Sequence, residues 1–345
     1  MNAIPQTVDG MFEQMVKRFE RIMMPAELRT KAELAVEINR LKKERNAVIL
    51  GHNYMEAPLY HMVADIRGDS LELCRRAADT TADVIVFCGV EFMAETAKII
   101  NPGKKVLIPS QKAGCSLAAS ITAADVRALK EKYPGVPVVT YVNSYADVKA
   151  ETDICCTSSN AAKVVESLDS DTVIFIPDEY LAKNVAKETG KTVIFPQSGD
   201  TKTSDQVFVS WHGKCEVHDM FTVKDIENVR KQFPDVVVLA HPECPPDVVN
   251  ASDYSGSTSA MIKHVAEKEA PQYLLLTECA MGDNIIAEHP DREILRMCSH
   301  RCPHMNQITL EDTLDALQNM RYEVHVDEDV RVKALASIQR MLEIG

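Results

Sequence analysis

Cys115, Cys215 and Cys302 each lie in a loop-like segment near the end of one of three similar thirds of the chain. The segments read Lys112-Ala-Gly-Cys115-Ser, Trp211-His-Gly-Lys-Cys215-Glu-Val-His218 and Cys298-Ser-His-Arg-Cys302-Pro303. One thiolate per third points to a single centre where three lobes meet. Three thiolates leave an iron-sulfur cluster one iron short of full cysteine ligation. An iron with an open position is a Lewis acid, so the pattern favours catalysis over electron storage.

The elements that must position these loops follow from the hydrophobic pattern. Met11–Met24 and Lys31–Glu44 carry apolar residues three and four apart and predict amphipathic helices over the edge of a core. From Asn46 onward, short β-branched runs alternate with helical stretches, the pattern of parallel strands with crossover helices, which makes the fold class α/β. The first strand of each third ends in polar residues: His52-Asn-Tyr54, Tyr141-Val-Asn143 and His241-Pro-Glu243. A second segment pairs a strand with a small-polar helix start, read as Val84–Gly89 before Glu91, Thr157–Asn160 and Gly256–Ser259. A third strand follows, and one of the three cysteines lies downstream of each. Ligands in open α/β sheets bind beyond the carboxyl ends of the strands, so three such units would place these segments around one cavity. The competing reading is one large doubly wound sheet with coincidental repeats. The polar stretch Ser198–Gln206 reads as a surface excursion.

Composition narrows the function classes. The chain has 345 residues, 46% hydrophobic and 26% charged, an ordinary globular balance. A net charge of −13 disfavours nucleic acid or an anionic membrane as a partner, because both are bound through basic surfaces. Residues 1–25 intersperse charges among apolar residues, with no run of membrane-spanning length, so cytoplasmic residence is expected. Ten cysteines without an export signal read as reduced thiols, with Cys74, Cys88, Cys155, Cys156, Cys244 and Cys279 as small apolar core residues.

From about Arg40 to the C-terminus the chain resembles quinolinate synthase, the iron-sulfur enzyme family of de novo NAD biosynthesis. The resemblance rests on an ordered set of motifs: Gly-His52-Asn-Tyr54, Gly68-Asp-Ser70-Leu-Glu-Leu, Phe92-Met-Ala-Glu-Thr-Ala-Lys98, Gly114-Cys115-Ser-Leu, Tyr141-Val-Asn143, Cys156-Thr-Ser158-Ser-Asn, His241-Pro-Glu243, Gly256-Ser-Thr258-Ser and Glu323-Val-His-Val-Asp-Glu328. It implies three similar αβα domains in pseudo-threefold array around a [4Fe–4S] cluster held by Cys115, Cys215 and Cys302. The corresponding boundaries are 1–135, completed by 320–345, then 136–234 and 235–319. The implied reaction is a transferase-type condensation of iminoaspartate (iminosuccinate) with dihydroxyacetone phosphate to quinolinate, with dephosphorylation and dehydration. Transient contact with the flavoenzyme that makes iminoaspartate is the implied partner interaction.

By the same resemblance, Ser70, Tyr141, Asn143, Ser158, His241 and Thr258 hold the substrates' carboxylates, imine and phosphate, joined by His52 and Glu243. For Ser158 and Thr258 a plain helix-capping role is the alternative. His52, Tyr54 and Glu243 are the available acid–base groups, with Tyr54 favoured as proton shuttle. Lys98 reads either as a phosphate contact or as a solvated helix residue. His218, His300 and His304 read as exposed loop histidines. The N-terminal helices and the C-terminal helix Arg331–Leu342 are expected to pack together on the first domain. One departure stands out: several family members have Cys-x-x-Cys-x-x-Cys before the final Cys-Pro, whereas here Arg296 and Ser299 interrupt it and only Cys298 precedes Cys302. A structural zinc protein would want close-spaced cysteine/histidine pairs. An electron-transfer protein would recruit a fourth thiol such as Cys298.

Overall fold

The computed structural model describes residues 4–194 and 207–344. The stretch Ser198–Gln206 lies outside the described residues. Three separate parallel sheets replace the alternative of one large sheet. The first comprises β1 (Ala47–His52), β2 (Ile66–Gly68), β3 (Val84–Cys88) and β4 (Lys105–Leu107), in the order β2-β1-β3-β4. The second comprises β5 (Val138–Tyr141), β6 (Ile154–Cys156), β7 (Thr172–Ile176), β8 (Thr192–Ile194) and β9 (Val207–Ser210), in the order β6-β5-β7-β9-β8. The third comprises β10 (Val237–Ala240), β11 (Tyr254–Ser255), β12 (Tyr273–Leu276) and β13 (Ile294–Arg296), in the order β11-β10-β12-β13. Strand order is thus the same in each, with β8 added at one edge of the second. The central strands β1, β3, β5, β7, β10 and β12 are almost wholly buried, as parallel strands covered on both faces must be.

The repeat differs from the expected one in its second segment. Val84–Cys88 is the counterpart of β7 and β12, and the true second strands are β2, β6 and β11. These are only two or three residues long, too short to give a hydrophobic period.

The N-terminal helices are Val8–Phe19, which buries Met11, Met15 and Phe19, and Pro25–Glu44, which buries Leu28, Ala32, Ala35, Ile38 and Leu41. The second begins earlier than its pattern predicts because Pro25 occupies the first helical turn, where a missing N–H costs nothing. It packs against helix Leu310–Asn319, and Glu323 bridges to Leu107 at the edge of the first sheet.

The C-terminal helix, Glu328–Ile344, does not join the N-terminal helices as expected. It lies on helix Ala146–Ala150 and β6 of the second lobe. Ser337 donates to the Lys149 carbonyl at 3.0 Å and Arg340 to the Asp153 carbonyl at 2.7 Å. Its buried face, Ala334, Ile338 and Met341, meets Leu71 and Ile99 of the first lobe together with Ala146 and Cys155 of the second. The helix therefore seals the seam between those lobes, which its apolar stripe alone could not reveal. Among the described residues no helix is long and apolar enough to cross a membrane.

Candidate active site

Each cysteine loop is built by the same local device. After Cys115, Cys215 and Cys302 the chain makes one tight turn of 3₁₀ helix, at Ala118–Ser120, His218–Met220 and Met305–Gln307. The carbonyl of each cysteine accepts from the backbone N–H four residues on: Ala119 at 3.0 Å, Asp219 at 2.9 Å and Asn306 at 3.1 Å. A capped helix then follows. Thr122, Thr222 and Thr309 accept from the N–H groups of Asp125, Asp225 and Asp312. The sequence writes this three times as Cys-x₆-Thr-x-x-Asp. Gly213 sets the approach to Cys215: a Cβ there would stand 2.5 Å from the Pro177 carbonyl, so only glycine lets the loop pass.

The three thiols line one cavity. The candidate residues His52, Tyr54, Ser70, Tyr141, Asn143, Ser158, His241, Glu243 and Thr258 line it too. Among the described residues the only three histidine, cysteine or carboxylate ligands close enough to share one ion are Cys215, His218 and Glu243. One cysteine from each lobe lines the same cavity, a set of three soft donors whose chemistry fits an iron-sulfur group. Burial pushes the Cys115 thiol up to about 12 and Cys302 up to about 11, and raises Cys215 as well. The metal-free chain thus keeps these thiols protonated, and binding a cationic group there would release protons.

Cys279 and Cys298 do not behave as free thiols: they form a disulfide across a Cα separation of 5.1 Å. This corrects the reading of Cys279 as a free core cysteine. It also removes Cys298 as a fourth ligand in this form. The pairing joins the start of helix Cys279–Glu288 to the loop leading to Cys302, a contact that sequence spacing does not encode.

Beside the thiols, the strand ends deliver paired side chains. His52 closes β1 and Tyr141 closes β5, while His241 follows β10 directly. In the first and third lobes the next turn is the same, with Tyr54 N–H donating to His52 Nδ1 and Glu243 N–H to His241 Nδ1, both at 3.3 Å. Asn143 Nδ2 donates to Glu243 Oε1 at 3.2 Å, while Glu243 Oε2 lies 2.8 Å from His218 Nδ1 and 3.2 Å from His241 Nδ1. The His218 approach does not meet hydrogen-bond geometry, so that buried nitrogen has no bond in line. Burial alone would raise the Glu243 pKa, but His241 and His218 more than offset it and hold the carboxyl below its ordinary range. For His218 burial wins over the Glu243 charge and lowers the pKa, so a neutral imidazole faces a carboxylate.

Ser70 and Thr258 are the first residues of helices Ser70–Asp79 and Thr258–Glu267. The caps are their neighbours Asp69 and Ser257, so Thr258 is not a cap as the alternative had it. Thr258 Oγ1 accepts from Asn53 Nδ2 at 2.9 Å, and Ser158 Oγ lies 3.3 Å from His241 Nε2. Hydrogen bonds between lobes stitch both ends of the cavity. Glu216 receives Ser116 Oγ at 2.8 Å and pairs with His304 Nε2 at 3.0 Å, uniting the three cysteine loops. Asp69 receives Ser159 Oγ at 2.9 Å and Ser257 Oγ at 3.1 Å, uniting the three lobes at the other end.

Two residues that sequence reasoning missed complete the site. Tyr54 Oη lies 2.6 Å from Thr277 Oγ1, which lies 3.0 Å from His218 Nε2. His218, expected to be exposed, is 1% exposed, and its ring stacks on His241 at 4.6 Å between centroids. A hydroxyl between a phenol and an imidazole passes a proton in either direction. His218 stands three residues after Cys215, on the tight turn that follows it, and that spacing was the available signal. Lys98 does not line the cavity, and it is not a solvated helix residue. Its ammonium donates to the Pro102 and Lys104 carbonyls and pairs with Glu323 at 3.6 Å.

Burial holds the His52 pKa down to about 4, against the opposing charges of Asp69 and Glu243. An unfolded histidine takes its proton near pH 6.5, whereas the folded one stays neutral until about pH 4. Stability from this group is therefore lost as pH falls between those values, by about 3 kcal/mol. Denaturant titrations from pH 7 to pH 4 should show this slope reduced in His52→Gln. An unchanged slope would mean that His52 does not contribute it.

The sequence matches the family model described as "Quinolinate synthetase A protein" over residues 36–343. It is 49% identical over 352 residues to a quinolinate synthase of Caulobacter vibrioides (strain NA1000 / CB15N), covering 99% of this chain and 92% of that one. It is 54% identical over 307 residues to a quinolinate synthase of Xylella fastidiosa (strain 9a5c), covering 89% and 86%. Against "Quinolinate synthase 2" of Mesorhizobium japonicum it is 51% identical over 327 residues, covering 95% and 96%. Relatedness at this level along nearly the whole chain, added to a cavity that gathers the residues its motifs single out, makes the protein a member of the quinolinate synthase family.

Proposed function

We propose that the chain condenses iminoaspartate (iminosuccinate) with dihydroxyacetone phosphate, releasing phosphate and water to give quinolinate, with a [4Fe–4S] cluster held by Cys115, Cys215 and Cys302. The observation that carries this reading is the convergence of one cysteine from each lobe on the cavity that also holds Tyr54, Glu243 and the strand-end histidines. When bound, a cluster with one iron left open supplies a Lewis acid toward a substrate oxygen or nitrogen.

The chain's own residues account for the remaining demands. Both substrates are anions. Ser70 and Thr258 offer hydroxyls at the starts of ten-residue helices, where the backbone dipole favours negative charge. Ser158, Tyr141 and Asn143 add hydrogen bonds from the second lobe. Glu243, a carboxylate flanked by His241, His218 and Asn143, is the acceptor placed to take a carbon-bound proton during condensation and isomerisation. Burial first, then the Glu243 charge, raises the Tyr54 pKa, so the phenol stays protonated and serves as a donor to a departing hydroxyl. Thr277 and His218 then return the proton. His52, whose ring stands edge-on to that of Tyr54 at 4.7 Å between centroids, is neutral above about pH 4 and offers the substrate a hydrogen bond. The imine is unstable in water, so a flavoenzyme that makes it would deliver it by transient contact.

The test is iron and acid-labile sulfide per chain in protein purified without oxygen, combined with a quinolinate assay supplied with both substrates. About four of each per chain, with turnover, is the expected result. Zinc or no metal, and no turnover after anaerobic reconstitution, would overturn the proposal.

A further inference from the structure

Three groups that the proposed reaction uses separately also converge on one point. Cys215 Sγ, a ring nitrogen of His218 and a Glu243 carboxylate oxygen all lie within 4.8 Å of one another. Ligands around a single zinc-type ion stand about 3–4 Å apart, given bond lengths of about 2.0–2.3 Å, so only a small closure separates this trio from a coordination shell. The His218 nitrogen is buried and has no hydrogen bond in line, although a carboxylate oxygen stands 2.8 Å away. A cation would satisfy both atoms at once.

The surroundings are those of a metal ligand set. His218 Nε2 contacts Thr277 Oγ1 at 3.0 Å, which fixes the ring so that Nδ1 faces the cavity. Glu243 is held by Asn143 and by His241. One sulfur, one imidazole nitrogen and one carboxylate oxygen, all on residues that line the cavity, make a donor set for a borderline-soft divalent ion. Thiolate plus carboxylate also matches the ion's double charge, and the thiol proton leaves to solvent on binding.

We propose that the cluster-free chain holds one divalent ion of the zinc type at Cys215, His218 and Glu243, and that this ion and the cluster exclude one another because both take Cys215. The ion site stands on its own geometry. Only the exclusion rests on the proposed cluster ligands.

The experiment titrates the full-length, cluster-free chain anaerobically with Co²⁺ alone and with Zn²⁺ alone. One equivalent should bind, with a sulfur-to-cobalt charge-transfer band and the visible bands of a four-coordinate ion. Loss of an outer-shell partner alone weakens metal sites about 10–100-fold, so His218→Ala and Glu243→Ala should each weaken binding at least that much. Cys115→Ala and Cys302→Ala should leave it unchanged, and circular dichroism of every variant checks that the fold is intact. If either cysteine variant weakens Zn²⁺ as much as His218→Ala, three thiolates hold the ion and the site is wrong. Absence of one-to-one binding is equally fatal to it. In a second arm, the chain preloaded with Zn²⁺ should fail to take up iron and sulfide until a chelator removes the zinc. Cluster assembly with zinc retained would overturn the exclusion while leaving the ion site standing.

Discussion

Cys302→Ala is expected to abolish both the cluster and turnover, whereas Cys298→Ala should keep most of each. Cys302 Sγ lines the cavity and accepts from the Met305 N–H at 3.4 Å, in the loop geometry that Cys115 shares with Ala118 at 3.5 Å. Cys298 is paired with Cys279 and serves the shape of the approach to that loop. Removing it frees a tether and leaves all three thiols in place. Iron content and visible absorption after anaerobic reconstitution decide the matter. A cluster that survives in Cys302→Ala but is lost in Cys298→Ala would reverse the ligand assignment.

The second large effect concerns proton movement. Tyr54→Phe, Thr277→Val and His218→Gln should each retain the cluster and the melting temperature while lowering kcat by roughly 10²–10⁴-fold, the range of a positioned acid–base group. Because the three form one chain of contacts, at 2.6 Å and 3.0 Å, a double variant should be little worse than the worst single one. Multiplying losses would indicate independent roles. Thr277→Val is the most telling of the three, since its hydroxyl is the link between the other two. Full activity in that variant would exclude the relay.

The strand-end residues were legible in the sequence because a polar triplet closing a β-branched run has few structural uses. That pattern alone places His52, Tyr141 and Glu243 at one end of parallel strands. The helix starts were half legible. Ser70 belongs with Ser158 and Thr258, but β2 is three residues long and gave no period, so Val84–Gly89 stood in its place. Thr277 was hidden because a threonine ending a buried strand looks like packing, and only tertiary contact joins it to Tyr54. His218 had a signal in its spacing from Cys215, outweighed by the expectation that loop histidines face solvent. The Cys279–Cys298 pairing and the resting place of Glu328–Ile344 depend on contacts between segments distant in the chain, which periodicity does not carry.

The helix that seals the first and second lobes carries a consequence for biosynthesis. It is translated after all three sheets, so Leu71, Ile99, Ala146 and Cys155 remain uncovered while the lobes emerge from the ribosome. The seam between the first and second lobes stays uncovered until this helix docks. A ribosome that stalls after the third sheet would release a chain with three formed sheets and an open apolar seam, a ready substrate for chaperones and proteases. Docking of this helix, and not the formation of the sheets, is what covers the apolar seam between the two lobes.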